Sequence, residues 1–238
     1  MSDSPTTGAS GRPETGPQLP EFVDWIAGIL IALAGGALTV GGSVLAFLVD
    51  RDALEAGVES GEITVVVVER ELTEAEALEV TEAVVSWAGW GLLVTGIGLL
   101  LFAVGYVAAR HRAHSRTPGD ESAGTFQSAA VLGAVTAGVL SFLPFSPAIG
   151  GGVAGYLEGG SGRGVGVGAL SGFLAIAPVL LVLVFVTVGL YDGLATVGDA
   201  SMGIVVAAAM LFAFLFTAAF GTGLGALGGF VGGRLGNW

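Results

Sequence analysis

The chain contains no cysteine. Disulfides, thiolate zinc sites, iron–sulfur clusters and cysteine nucleophiles are therefore excluded. It contains no lysine either, since all eight basic residues are arginine. Two histidines argue against a histidine-rich metal centre. Charge is scarce, with 12% of 238 residues charged against about 25% in an average soluble domain. That is too little to cover a surface in water. What is present is apolar and small: 53% hydrophobic residues, 42 glycines and a mean hydropathy of +0.84. This is the composition of an integral membrane protein, with the lipid bilayer as its first partner.

The little charge present is one-sided. Twenty acidic residues against eight arginines give a net charge of −12. Acidity without lysine suits a high-salt cytoplasm, where a Debye length of about 3 Å at 1 M salt lets a dense acidic surface persist. A halophilic archaeon is the expected source. The same sign argues against nucleic acid as a partner. The acidity is also local: Asp50–Glu82 holds eleven acidic residues and only Arg51 and Arg70 in opposition. The basic counterpart is Arg110–Arg116, with three arginines in seven residues.

Residues 1–21 are polar and rich in Pro, Gly, Ser and Thr, which predicts a disordered cytoplasmic tail and not a signal peptide. Charge-free runs follow at Trp25–Val49, Ala83–Ala109, Ser122–Leu157, Gly164–Tyr191 and Ala200–Gly233. About 20 apolar residues in helix cross a ~30 Å hydrocarbon core. The first, second and fourth runs each predict one span. The third would reach roughly 54 Å as one helix and is interrupted by Pro144 and Pro147. It divides into Gln127–Leu143, a turn over Pro144–Pro147, and Ala148–Leu157. That last piece is short, and is either a full span or a re-entrant segment. Re-entrant backbone is tolerated only where protein or a water-filled cavity covers it. The fifth run predicts one long span.

The expected fold is all-α, a polytopic transmembrane helical bundle of about six spans, with seven as the alternative. The expected division is a tail at 1–21, then a transmembrane helical hairpin at 22–116 with an acidic external segment at 50–82. A cytoplasmic linker at 117–126 leads to a glycine-rich four-crossing membrane domain at 127–238. Arginines in short loops face the cytoplasm. The Arg110–Arg116 cluster therefore predicts a multi-pass cell-membrane protein with a cytoplasmic N-terminus. Trp25, Trp87, Trp90, Tyr106, Tyr156 and Tyr191 fall near predicted span ends, as interfacial anchors do. In the external segment, Ile63–Val68 is β-branched throughout and reads as a strand in need of a partner, or as an extended loop against its own helices. Thr73 with Glu76 fits a capping box that opens a helix running into the second span.

The most specific pattern is glycine spacing. Gly221, Gly225, Gly229 and Gly233 form an i, i+4 ladder, with Gly228, Gly232 and Gly236 beside it. Gly164, Gly168 and Gly172 form another, and Gly91, Gly98 and Gly105 recur every seven residues. Such residues line one helix face and let a second backbone come close. Gly164, Gly168, Gly172, Gly221, Gly225, Gly229 and Gly233 are therefore the expected helix-packing residues, within one chain or between copies of a homo-oligomer. Gln127–Gly162 and Arg163–Trp238 also share a weak internal echo, as transporter repeats do.

Leu140–Pro147, Leu-Ser-Phe-Leu-Pro-Phe-Ser-Pro, is followed by Gly150–Leu157, Gly-Gly-Gly-Val-Ala-Gly-Tyr-Leu. On these residues the stretch 132–238 resembles a family of uncharacterised glycine-rich small membrane proteins of halophilic archaea. The resemblance implies no activity, cofactor or catalytic residue.

Chemistry-bearing patterns are missing. The predicted spans hold no ionisable residue, which argues against proton-coupled transport. Gly159–Gly164 is glycine-rich but lacks the lysine of a phosphate loop. His111 and His114 are too few for a closed metal site. The acidic segment lacks the calcium-loop pattern. Thr136, Ser141, Ser171, Thr187, Thr217 and Thr222 are too scattered to mark a polar path. The expectation is no enzyme: no catalytic, cofactor-binding or metal residue and no cofactor. A structural or interaction role with self-association through the glycine ladders comes first. The alternative is a channel or transporter subunit with a glycine-lined path.

Overall fold

A computed structural model describes residues 21–60, 66–67, 70–114 and 121–236. Seven helices account for nearly all of them. The tail at 1–20 and the arginine cluster beyond His114 lie outside the described residues, as do Ile63–Val65 and Val68 of the expected strand.

Helix α1 (Glu21–Phe47) and helix α3 (Glu74–His114) form an antiparallel pair. Between them lie α2 (Arg51–Glu59) and a minimal hairpin of β1 (Val66–Val67) and β2 (Arg70–Glu71). Val66 pairs with Glu71 and Val67 with Arg70, so the β-branched stretch finds its partner a few residues downstream. Helix α2 lies inside the acidic segment, where charge and composition alone predict no helix. Its Leu54 is buried, and Arg51 donates to Glu82 at 2.8 Å, fastening it to α3. The start of α3 is the expected capping box. The Thr73 N–H and hydroxyl both donate to Glu76 Oε2 at 2.9 Å, and the Glu76 N–H returns to Thr73 Oγ1 at 3.4 Å. From there α3 runs without a break for 41 residues.

The second half is α4 (Glu121–Val139), α5 (Ser146–Glu158), α6 (Ser161–Thr196) and α7 (Ala200–Leu235). Helix α4 begins at Glu121, so most of the expected linker 117–126 is helical. Pro147 sits in the first turn of α5, where its missing N–H costs nothing. The turn therefore ends before Pro147 and spans Leu140–Phe145. Pro178 lies inside α6, which continues through it. Helix α7 is one continuous element, including its glycine-rich end.

Among the described residues four helices are long and apolar enough to cross a membrane: α1, α3, α6 and α7. The expected count was six. Among the described residues the apolar stretch of α4 is Phe126–Val139, and the 13 residues of α5 reach only about 20 Å, short of a ~30 Å core. The chain is a multi-pass membrane protein by these four helices. Its long helices stand in the order α1, α3, α6, α7, with α5 in the crook of α6 and α7 and α4 over α5 and α6. Ala27, Tyr106, Val131 and Leu132 form one buried cluster that joins α1, α3 and α4. The helix pairs α4–α5 and α6–α7, which share the internal echo, are both hairpins but differ about twofold in length.

Thr73→Ala removes the hydroxyl from the reciprocal cap. The expected loss is about 1 kcal/mol, concentrated at the start of α3. Hydrogen exchange should show faster opening of residues 74–77 while Ala83–Ala109 stays protected. Equal exchange in both proteins would contradict the role of the cap.

Candidate functional site: a glycine node and two charge clusters

The seven glycines picked out by spacing meet one another within a single chain. A Cβ added to Gly168 would lie 2.7 Å from the Gly229 Cα, and one on Gly164 would lie 2.5 Å from the Gly229 carbonyl oxygen. One on Gly172 would lie 3.1 Å from the Gly225 Cα. From the other side, a Cβ on Gly225 or Gly229 would lie 2.9 Å from the Cα of Gly172 or Gly168. Gly233 faces Gly160 and Gly164, while Gly221 faces the Ile176 side chain. Helices α6 and α7 thus touch backbone to backbone, at separations no methyl group could enter.

The same glycines of α7 carry a second contact. Cβ atoms on Gly151 and Gly155 of α5 would each lie 2.7 Å from a Cα of α7, at Gly225 and Gly229 respectively. The neighbouring ladder completes this interface: Gly228 faces Ala148 and Gly152, Gly232 faces Gly152 and Tyr156, and Gly236 faces Tyr156. Gly225 and Gly229 are therefore the node where three helices converge. Both ladders of α7 are occupied inside the chain, so neither face is free for a second copy.

The seam between α1 and α3 uses a glycine register other than the one read from the sequence. A Cβ on Gly42 would lie 2.7 Å from the Gly89 carbonyl oxygen, and one on Gly35 would lie 2.8 Å from that of Gly96. Of the expected heptad set, Gly91 meets Phe185 of α6, while Gly98 and Gly105 face open space. Residues on α3 alone cannot say which of two parallel glycine rows a partner selects. The spacing of Gly35 and Gly42 on α1, seven apart like Gly89 and Gly96, held that information.

The structure also adds a charged cluster that the sequence reading excluded from the spans. Asp24 is 3% exposed. Its Oδ1 accepts from the Tyr106 hydroxyl at 2.6 Å, and its Oδ2 from Arg110 Nε at 2.8 Å. The charge-free run starts only at Trp25, whereas α1 starts at Glu21 and Phe22 and Val23 continue its apolar pattern. At the other end, Trp87 Nε1 donates to Asp192 at 3.2 Å, joining α3 to α6. The two clusters mark opposite ends of the bundle.

A third carboxyl lies where α5 turns into α6. The Glu158 side chain is 3% exposed, with Arg163 Nη1 at 3.9 Å from Oε1. Its Oε2 accepts no hydrogen bond among the described residues. Burial raises the Glu158 pKa, and Arg163 opposes the shift.

The scattered hydroxyls form no polar path. Thr136 and Thr187 donate to their own helices, to the Leu132 and Leu183 carbonyls at 2.8 Å. Ser171 is fully buried with Oγ unpaired, whereas Ser141 and Thr217 are exposed. Among the described residues no three His, Asp or Glu side chains converge as metal ligands. Residues 127–235 match the model of a family of unknown function (DUF5518). That segment runs from α4 to the end of α7, the part built around the glycine node. No curated protein and no solved structure matches the chain.

Two measurements test these assignments. Gly229→Ala should lower stability in detergent by about 1–3 kcal/mol through forced separation of α6 and α7. Gly223→Ala, where a Cβ meets nothing within 4 Å, should be neutral or gain up to about 1 kcal/mol of helix propensity. Equal effects would remove the special role of the ladder. Arg110→Met should cost roughly 2–4 kcal/mol by stranding the Asp24 carboxylate, a figure reduced because the pair sits at the bundle end. Asp24→Asn in the same chain should restore much of that loss.

Proposed function

We propose that this is a non-catalytic protein of a halophilic cell membrane with a structural or interaction role, self-associating, with its N-terminus in the cytoplasm. The observation that carries the reading is the closure of the glycine faces. A path lined by Gly164–Gly172 and Gly221–Gly233 would need space between α6 and α7. A single methyl group already exceeds the space there, so the glycines serve contact rather than passage. The hydroxyls that a polar conduit would use are bonded to their own helices or dispersed.

Charge placement supports the orientation. Arg110 and Arg112 lie at the end of α3 that meets Asp24 of α1, and Arg163 and Arg234 lie at the same end of the bundle. Asp50, Glu82, Asp192 and Asp199 lie at the other end. By the preference of arginine for short cytoplasmic loops, the first end is the cytoplasmic one. The acidic, lysine-free composition supports a high-salt habitat. Self-association uses a surface other than the ladders, since these are filled.

The first test is light scattering on the purified protein in detergent at molar salt, followed by flux assays in vesicles. A defined oligomer without ion or solute flux is the expected result. Flux above empty vesicles would replace this reading with the channel alternative, and a monomer would end the self-association part. For orientation, an impermeant thiol reagent added outside should label Glu59→Cys and spare His111→Cys. The reverse pattern would invert the topology.

A further inference from the structure

We propose that Glu158 is a proton-binding site that controls the anchoring of the last turn of α5. With Glu158 protonated the turn stays docked on α7; with Glu158 ionised it is released about the Gly159–Gly160 link. The device works within one chain and needs no second copy.

Glu158 is the last residue of α5. Its side chain is 3% exposed. An ionised carboxylate so buried is costly unless hydrogen bonds satisfy it. Here they do not: Oε2 is buried and accepts none. The ionic partner, Arg163 Nη1, stands 3.9 Å from Oε1, beyond hydrogen-bond reach. The Arg163 side chain is itself 69% exposed, so water screens the pair. The carbonyl end of a helix also disfavours negative charge. Helix α6 begins at Ser161, three residues on, yet none of its N–H groups reaches Oε2. The neutral acid is the form that suits this place.

Few other charges act on it. Helices α4, α6 and α7 pack against α5. The described side chains of α4, Phe126–Val139, include no titratable group. Helix α6 brings Arg163, while its Asp192 lies at the opposite end of the bundle. Helix α7 brings Arg234, which lies over the Phe230 ring at 4.2 Å. On α5 itself Tyr156 is the other titratable group, and it is exposed. The balance is therefore between burial, which raises the Glu158 pKa, and Arg163, which lowers it.

The turn that Glu158 closes is an anchor. A Cβ on its Gly155 would lie 2.7 Å from the Gly229 Cα, and Tyr156 lies beside Gly232 and Gly236. Leu157 packs against both buried clusters of the bundle. Only Gly159 and Gly160 join this turn to α6, at φ 69° and 80°. Glycine moves freely through that region of backbone space. Rotation about the two glycines brings Glu158 out to water and to Arg163, with α6 left in place. Ionisation thus favours the released turn. Because burial raises the docked pKa, anchoring is full at low pH and weakens as pH rises through the raised value.

Hydrogen exchange on the full chain in detergent tests this, at constant molar salt from about pH 4 to about pH 9. Exchange is expressed as protection relative to the intrinsic rate at each pH. Residues 155–158 should lose protection by up to about tenfold per pH unit above the transition, while Ala83–Ala109 stays unchanged. Glu158→Gln, neutral at every pH, should stay protected throughout. Arg163→Met should move the transition to higher pH. A carbon-13 titration of the glutamate carboxyls should show one raised pKa that disappears in Glu158→Gln. A flat profile in the unaltered chain would overturn the proposal, as would the same loss of protection in Glu158→Gln. A transition that moves when sodium replaces potassium at equal ionic strength would make a metal ion the ligand and also overturn it. If Glu158→Gln does not fold, Arg163→Met decides alone: an unmoved or lowered transition refutes the proton site.

Discussion

Apolar side chains gain little by packing against one another in lipid, because lipid tails are equally apolar. Helices in a bilayer associate through close van der Waals contact, and contact is closest where side chains are absent. The node at Gly225 and Gly229 meets this condition with three helices at once. Helix α6 approaches through Gly168 and Gly172, and α5 through Gly151 and Gly155. The position of the short helix α5, and of α4 folded over it, depends on that double contact. The family match begins in α4 and ends with α7, which coincides with the reach of the node.

The α1–α3 hairpin solves the same problem by other means. Its seam is also glycine against backbone, at Gly35, Gly42, Gly89 and Gly96. It adds directional bonds at its ends: Asp24 with Tyr106 and Arg110 at one, and Arg51 with Glu82 at the other. Buried ion pairs add little net stability but penalise their own disruption. Their value here is in register. A slide of α1 along α3 would strand Asp24 in apolar surroundings. Glycine rows alone tolerate such slides, because each row repeats.

The closed glycine faces bear on function as well as on folding. A contact too tight for a methyl group leaves no space for a solute between α6 and α7. The exposed apolar surface is the hairpin tip and the outer faces of α1, α3, α6 and α7. Most of that surface suits lipid.

Several features were legible in the residues themselves. Thr73 and Glu76 marked the start of α3, since a capping box is local and needs no partner. The length and apolarity of α1, α3, α6 and α7 marked them as membrane helices, because hydrocarbon thickness alone sets that rule. The glycine ladders showed which faces of α6 and α7 could approach closely. What spacing could not supply was the partner. Gly228, Gly232 and Gly236 found α5, and Gly98 and Gly105 found nothing. Asp24 was hidden because a charge reads as the end of a span until Tyr106 and Arg110, more than eighty residues away, are seen to satisfy it. For α4 and α5 the charge-free run left open whether the second piece crosses or re-enters, because composition reports apolarity and not where a short helix sits. Periodicity and length belong to one segment at a time, so the sequence by itself determined the membrane helices and their close-packing faces. Partner and register are relations between segments distant along the chain, and only the tertiary structure decided them.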